Sequence, residues 1–207
     1  EMKKVRNSFF EAYKDGDYKK AIVLGNKLLQ IYAENDDCDC IEYAVDMSNL
    51  AMVFDRLQLY PQAEKYYKQA AELKKRCGGE SLSYADTLNN LAIVYNQTNR
   101  QTEALRLHRK VMEIREAKLG REHADFLHSL YHIGNTYELL GEYDKAIDYH
   151  AMALRNNTFS TLELADVHGA LARAYEAKGN YKKAIYYYEI CLDLIEKARG
   201  CDTFYYM

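Results

Sequence analysis

Leu88-Asn-Asn-Leu-Ala-Ile-Val-Tyr95, with Glu103-Ala104 after it, returns 42 residues later as Ile133-Gly-Asn-Thr-Tyr137, Gly141-Glu-Tyr143 and Asp144-Lys-Ala146. An internal period of this size signals stacked helical hairpins, because one such unit cannot bury its apolar face alone. Leu88, Leu91, Ala92 and Tyr95 stand at i, i+3, i+4 and i+7, and Leu130, Ile133, Gly134 and Tyr137 repeat that stripe. This is one face of a helix of 3.6 residues per turn.

Outward from this stretch, a small residue recurs as Ala21, Ala63, Ala104, Ala146 and Ala184, at spacings of 42, 41, 42 and 38. Three positions before each stands Tyr18, Tyr60, Gln101, Tyr143 or Tyr181. Twelve before stands Ala51, Ala92, Gly134 or Ala172, with Phe9 as the exception. Nine before stands an aromatic, Phe54, Tyr95, Tyr137 or Tyr175, against Ala12 in the first unit. Five hairpins follow, the first of them degenerate. The small residue lets two helices approach closely, and the aromatic fills the space beside it. Gly16, Asn99, Gly141 and Gly179 fall in the turns, where a left-handed residue ends a helix. Pro61 falls where a second helix begins and its missing N–H costs nothing.

A bulky residue, Leu-Gly/Ala, an aromatic, Gly-x-Tyr and Ala at these offsets resemble the tetratricopeptide repeat, over essentially the whole chain and most specifically in four units. The spacing exceeds that family's usual 34 residues by about one turn per helix. With Ile114-Arg-Glu-Ala-Lys-Leu-Gly-Arg-Glu-His123 before the next unit, it is similar to the kinesin light chain type of repeat. That type has Pro where this chain has Ala124. The expected fold is an all-α, right-handed superhelical solenoid of five antiparallel hairpins, spanning 2–37, 40–79, 81–120, 122–158 and 161–200 in one domain. Residues 201–207 form a tail too short and too aromatic for the polar cap that a terminal repeat needs, so the native chain is expected to continue. The joints are short, and Ser160-Thr-Leu-Glu163 reads as a capping box.

The composition narrows the function. Twenty Tyr, one Pro and no Trp suit a helix-dense chain with packed aromatics. A net charge of -3 gives no basic footprint for nucleic acid, and no apolar run is long enough to span a membrane. Glu1-Met-Lys-Lys-Val-Arg-Asn7 lacks the apolar core of a signal peptide. Cys38, Cys40, Cys77, Cys191 and Cys201 are odd in number and irregular in spacing, which reads as reduced thiols in a cytoplasmic setting. Phosphate-cradling glycine loops, Gly-x-Ser-x-Gly elbows and Cys-x-x-Cys pairs are absent from the sequence, so neither an enzyme nor a cofactor is expected.

The resemblance implies a concave groove lined by the first helices, where such proteins hold a peptide or protein segment. Carried onto this sequence, the backbone-binding positions are Asn7, Asn49 and Asn90 in consecutive units, with His132 at that place in the fourth. Carboxamides pair with peptide N–H and C=O groups without reading sequence. Phe10, Met52, Ile93 and Tyr131 offer apolar contacts, and Asn89, Asn135, Arg56 and Arg173 complete the candidate set. Lys3, Arg6 and Lys14 make the first unit's inner positions basic, while Glu138, Asp166 and Glu176 make the last ones acidic. That polarity either orients a ligand or is ordinary solvated charge.

Two readings stand beside peptide binding. One is self-association, as a homodimer or head to tail, with Phe204-Tyr-Tyr206 at one end; the other is a peptide-responsive bacterial regulator. His123, His128 and His132 lie close in sequence but lack the ligand set of a zinc enzyme; two are expected to line the groove and one to cap a helix. His108 and His150 fall on buried stripes and are expected to be packed and hydrogen-bonded.

Overall fold

Among the described residues of the computed structural model (1–34, 39–155 and 159–199) there are ten helices and no strand. They are α1 (Met2–Lys14), α2 (Tyr18–Ala33), α3 (Cys40–Arg56), α4 (Tyr60–Gly78), α5 (Leu82–Gln97), α6 (Gln101–Leu119), α7 (Ala124–Leu139), α8 (Tyr143–Ala153), α9 (Thr161–Ala177) and α10 (Tyr181–Ala198). The tail at 201–207, Cys38 and Cys201 lie outside the described residues. The chain forms two compact units, Glu1–Leu107 and His108–Met207, divided within α6.

Local chemistry sets the helix ends. Side chains of Asp17, Asp39, Ser81, His123 and Asn180 each accept a hydrogen bond from a backbone N–H of the first turn. These bonds satisfy donors that a helix start leaves orphaned. Ser160 and Glu163 form the expected capping box. His123 is the histidine that caps, its Nδ1 accepting from the Asp125 N–H at 3.1 Å. The hairpin turns place Gly16, Gly141 and Gly179 at φ 74° and Asn99 at φ 59°. Between α3 and α4 the left-handed residue is Gln58, at φ 57°. A side chain there costs about 1–2 kcal/mol. Gln58→Gly is therefore expected to raise stability by about 0.5–1 kcal/mol, after the larger entropy that Gly loses on folding. Urea unfolding with an unchanged slope would show it; a destabilised variant would mean that the Gln58 side chain makes a compensating contact.

In the Glu1–Leu107 unit, Val5, Phe9, Ala12, Ala21, Leu28 and Val53 form one apolar cluster. Leu50, Ala51, Phe54, Ala63, Tyr67, Leu91, Ala92, Val94, Tyr95 and Ala104 form the next. In the other unit Phe126, Leu127, Leu130, Ala153, Phe159 and Val167 gather likewise. The small residues have the expected role: Ala51, Ala63, Ala92, Ala104 and Ala146 are all fully buried. At Gly134 a methyl group would stand 2.5 Å from His150 Cε1, so only glycine admits that ring.

A polar clasp also recurs. The residue eleven after the small position of a second helix reaches the residue five before the small position of the next first helix. Tyr32 Oη donates to Asp46 (2.9 Å), Lys74 Nζ to Thr87 Oγ1 (2.8 Å) and Arg115 to Ser129 Oγ (3.1 Å). Burial lowers Lys74 to about 8. A buried polar group needs such a partner, so the clasp helps to set the register of one hairpin on the next.

Two expectations are corrected. Cys40, opening α3, and Cys77, near the end of α4, are joined as a disulfide with Cα atoms 6.4 Å apart. The hairpin brings together two cysteines 37 residues apart, which irregular spacing conceals. That bond removes the free-thiol ground for assigning a reducing compartment; of the described cysteines only Cys191 is free. The second correction concerns His108 and His150: both are fully buried, as expected, but neither ring has a hydrogen-bond partner among the described residues.

Candidate peptide-binding faces

In the Glu1–Leu107 unit, α3 and α5 present Met52, Asp55, Arg56, Asn90, Ile93 and Gln97 to one open recess of ≈ 480 Å³. Gln58, Tyr60 and Tyr67 close it from the turn and α4. Four candidates from the sequence, Met52, Arg56, Asn90 and Ile93, thus meet at one place. Their convergence follows from helical register: Met52 and Ile93 each follow the buried small residue, Ala51 or Ala92, by one position. Each therefore sits at the edge of the buried stripe, half in the core and half in the recess.

The recess is polar at its base. Tyr67 and Asn90 line it together, and burial pushes the Tyr67 phenol above its usual range, keeping it neutral. Burial also raises the Asp55 carboxyl, against the opposing charge of Arg56. Arg56 Nε donates to Tyr13 Oη at 3.2 Å, which orients the guanidinium and raises its pKa. The floor therefore offers a carboxylate, a carboxamide and a phenol beside the apolar side chains of Met52 and Ile93, a mixture suited to peptide backbone and a medium-sized side chain.

The remaining candidates separate. Asn49 is half-buried on α3, one turn before Met52 but outside the lining set; Asn7 and Phe10 are exposed on α1. Asn89 is buried, and its Oδ1 has no hydrogen-bond partner among the described residues, so it is not a groove residue. Asn135 Oδ1 is likewise buried and unpartnered. Arg6 is not free to meet a ligand: Asp46 and Glu42 hold its guanidinium. Arg173 is engaged by Glu138 at 2.9 Å, which also neutralises part of the expected acidic end. Tyr67, Tyr60 and Gln58 escaped the sequence reading. Tyr67 carries the stripe signature of a packed residue, and nothing in that signature says where its hydroxyl emerges.

In the His108–Met207 unit, His128, Tyr131, His132, Glu163, Asp166 and Val167 line a smaller recess of ≈ 190 Å³. Two of the three neighbouring histidines, His128 and His132, thus border this recess. His128 pairs with Glu163 at 3.0 Å and stacks on Phe159. His132 stacks on His108 with ring centres 5.3 Å apart, and burial lowers its pKa to about 4. Among the described residues no group of three His, Cys, Asp or Glu side chains is placed to hold a metal ion, and no helix is long and apolar enough to cross a membrane.

Comparison with known proteins agrees with this architecture. A family model described as tetratricopeptide repeat matches residues 9–76, 48–117 and 83–158, and a second of the same description matches 167–202. No curated protein matches the chain by sequence. Among solved structures, BtubC (BKLC) from P. vanneervenii is similar at 22% identity, covering 96% of this chain and 81% of that one, with a TM-score of 0.83. A putative kinesin light chain from Podosopora anserina with nearly identical TPR-like repeats is similar at 19% identity over 96% of both chains, with a TM-score of 0.77. The apo form of RapI is similar at 19% identity over 92% of this chain and 52% of that one, with a TM-score of 0.75. At these identities the likeness is one of fold.

Proposed function

Because the chain belongs to the tetratricopeptide-repeat family, we propose that it is a non-catalytic interaction module whose Glu1–Leu107 unit seats an extended peptide in the α3–α5 recess. The observation that carries this reading is the convergence of Met52, Asn90 and Ile93 on one open cavity with a polar floor. Asn90 and, one turn along α3, Asn49 hold the peptide backbone; Met52 and Ile93 take its side chains. Helical-repeat proteins are scaffolds that present such faces, and the family resemblance supports a binding role over a catalytic one.

The test is selection of a displayed library of random peptides against the purified chain, followed by calorimetry on the best binder. Asn49→Ala combined with Asn90→Ala is expected to weaken that peptide about 10- to 100-fold, the loss of two neutral hydrogen-bonding side chains. Unchanged affinity would move the seat elsewhere. Repeated failure to enrich any peptide would sink the reading.

For self-association, the outward face of α1 argues against head-to-tail stacking. Lys4, Ser8 and Glu11 occupy the register positions at which α5 buries Thr87, Leu91 and Val94. A polar face there gives an incoming apolar helix nothing to cover.

A further inference from the structure

The outward face of α10, in the His108–Met207 unit, is built differently. Of its eighteen residues only Ala184 is buried, yet Tyr181, Ile185, Tyr188, Leu192 and Ile195 repeat at alternating spacings of four and three. That is the seam of a helix meant to meet another helix. Tyr188 is tied back to α9 through a hydrogen bond to Glu176, while Tyr181 (66%), Ile185 (58%) and Leu192 (59%) remain exposed.

The chain itself shows what such a face receives. Ile185 and Leu192 stand one and eight positions after Ala184, as Ile22 and Leu29 stand after Ala21 on α2. Ile22 and Leu29 pack on the cluster around Leu50, Ala51 and Phe54 of α3. Leu154, eight positions after Ala146 at the end of α8, packs on the cluster containing Phe159 and Val167. At the clasp position, where Tyr32, Lys74 and Arg115 reach a polar partner, α10 carries Ile195. The α10 face thus calls for an amphipathic helix that is apolar at the clasp, and α10 itself has that character.

We propose that α10 pairs with α10 of a second copy, antiparallel about a two-fold axis, with Ile185 of each copy against Leu192 of the other. Charge selects this occupant. Lys182, Glu189 and Glu196 line one edge of the apolar stripe at seven-residue spacing, and none has an ion-pair partner among the described residues. Antiparallel pairing sets Lys182 of each copy beside Glu196 of the other, two attractive contacts at the ends. It also brings the two Glu189 carboxylates together near the axis, a like-charge contact that weakens the dimer.

Sedimentation equilibrium of the 207-residue chain, from low to high micromolar concentration, reads the outcome. A concentration-dependent dimer is expected, and Ile185→Asp with Leu192→Asp abolishes it while the helical circular dichroism stays unchanged. Lys182→Glu weakens the dimer about tenfold, Lys182→Glu with Glu196→Lys restores it, and Glu189→Gln tightens it. A concentration-independent monomer overturns the proposal. So does a dimer that survives the paired aspartates, or a charge reversal that restores nothing.

Discussion

At pH 5 the protein is expected to have lost about 4–6 kcal/mol of the stability it has at pH 7, through three buried imidazoles in the His108–Met207 unit. Burial is the main cause of each shift: it lowers His108 to about 3 and His132 and His150 to about 4, from an ordinary 6.5. Neighbouring positive charge adds to it: His132 and then Arg115 act on His108, Arg115 and then His128 on His132, and Arg173 on His150. The direction follows from proton counting. Above 6.5 neither the folded nor the unfolded chain holds these protons, so the stability is fully present. Between 6.5 and about 4 the unfolded chain binds three protons that the folded chain refuses, and stability falls with pH. Each imidazole contributes about 2 kcal/mol at pH 5. Because domains are stable by only about 5–15 kcal/mol, unfolding is expected near pH 4–5. Urea titrations at the two pH values measure the difference. His108→Leu, whatever it does at pH 7, should shrink the gap by about a third, since one of three protons is gone. A gap unaffected by that substitution would assign the acid sensitivity to other groups.

Asp46→Ala is expected to cost about 3 kcal/mol, the second largest effect. The Asp46 side chain is 3% exposed and accepts from Arg6 Nε, Arg6 Nη2 and the Tyr32 hydroxyl. It is the charge that pairs with the always-ionised Arg6 guanidinium in a half-buried place; the same carboxylate, after burial, raises the Tyr32 phenol. Truncating Asp46 leaves a guanidinium and a hydroxyl facing a small cavity, with only the more exposed Glu42 in reach. Removing both charges should hurt less. A cycle through Asp46→Ala, Arg6→Met and the double variant is expected to show a coupling of about 1.5–3 kcal/mol, because the second substitution removes the group that the first strands. Additive losses would show that Asp46 acts by packing alone. The network joins α1, α2 and α3, so its loss should be visible as faster hydrogen exchange in those helices first.

Asn89 and Asn90 show how far the binding face was legible. Both belong to the candidate set, yet a step of one residue turns a helix by about 100°, enough to bury one and open the other. The stripe Leu88, Leu91, Ala92 and Tyr95 fixes the buried direction well, but its edges are broad, and side chains there fall on either side. Arg6 and Arg173 show a second limit. Each stands at a position where the repeat motif expects a ligand-facing residue, and each is taken by an acidic neighbour 35 to 40 residues away. The α10 face shows a third: its seam is as apolar as that of α2, and exposure distinguishes the two.

The sequence by itself determined the helices, their caps, their turns and the hairpin period. These are local properties: apolar spacing, a capping oxygen or a left-handed residue acts within one or two turns. Tertiary structure alone decided the Cys40–Cys77 bond, the clasp from Tyr32 to Asp46, the unpartnered rings of His108 and His150, and the meeting of Asn90 with Met52 and Ile93. Each of these joins groups on different helices. Which groups meet depends on how far one hairpin slides and turns on the next, and that is set by the sum of many packed contacts that no single stretch of chain encodes.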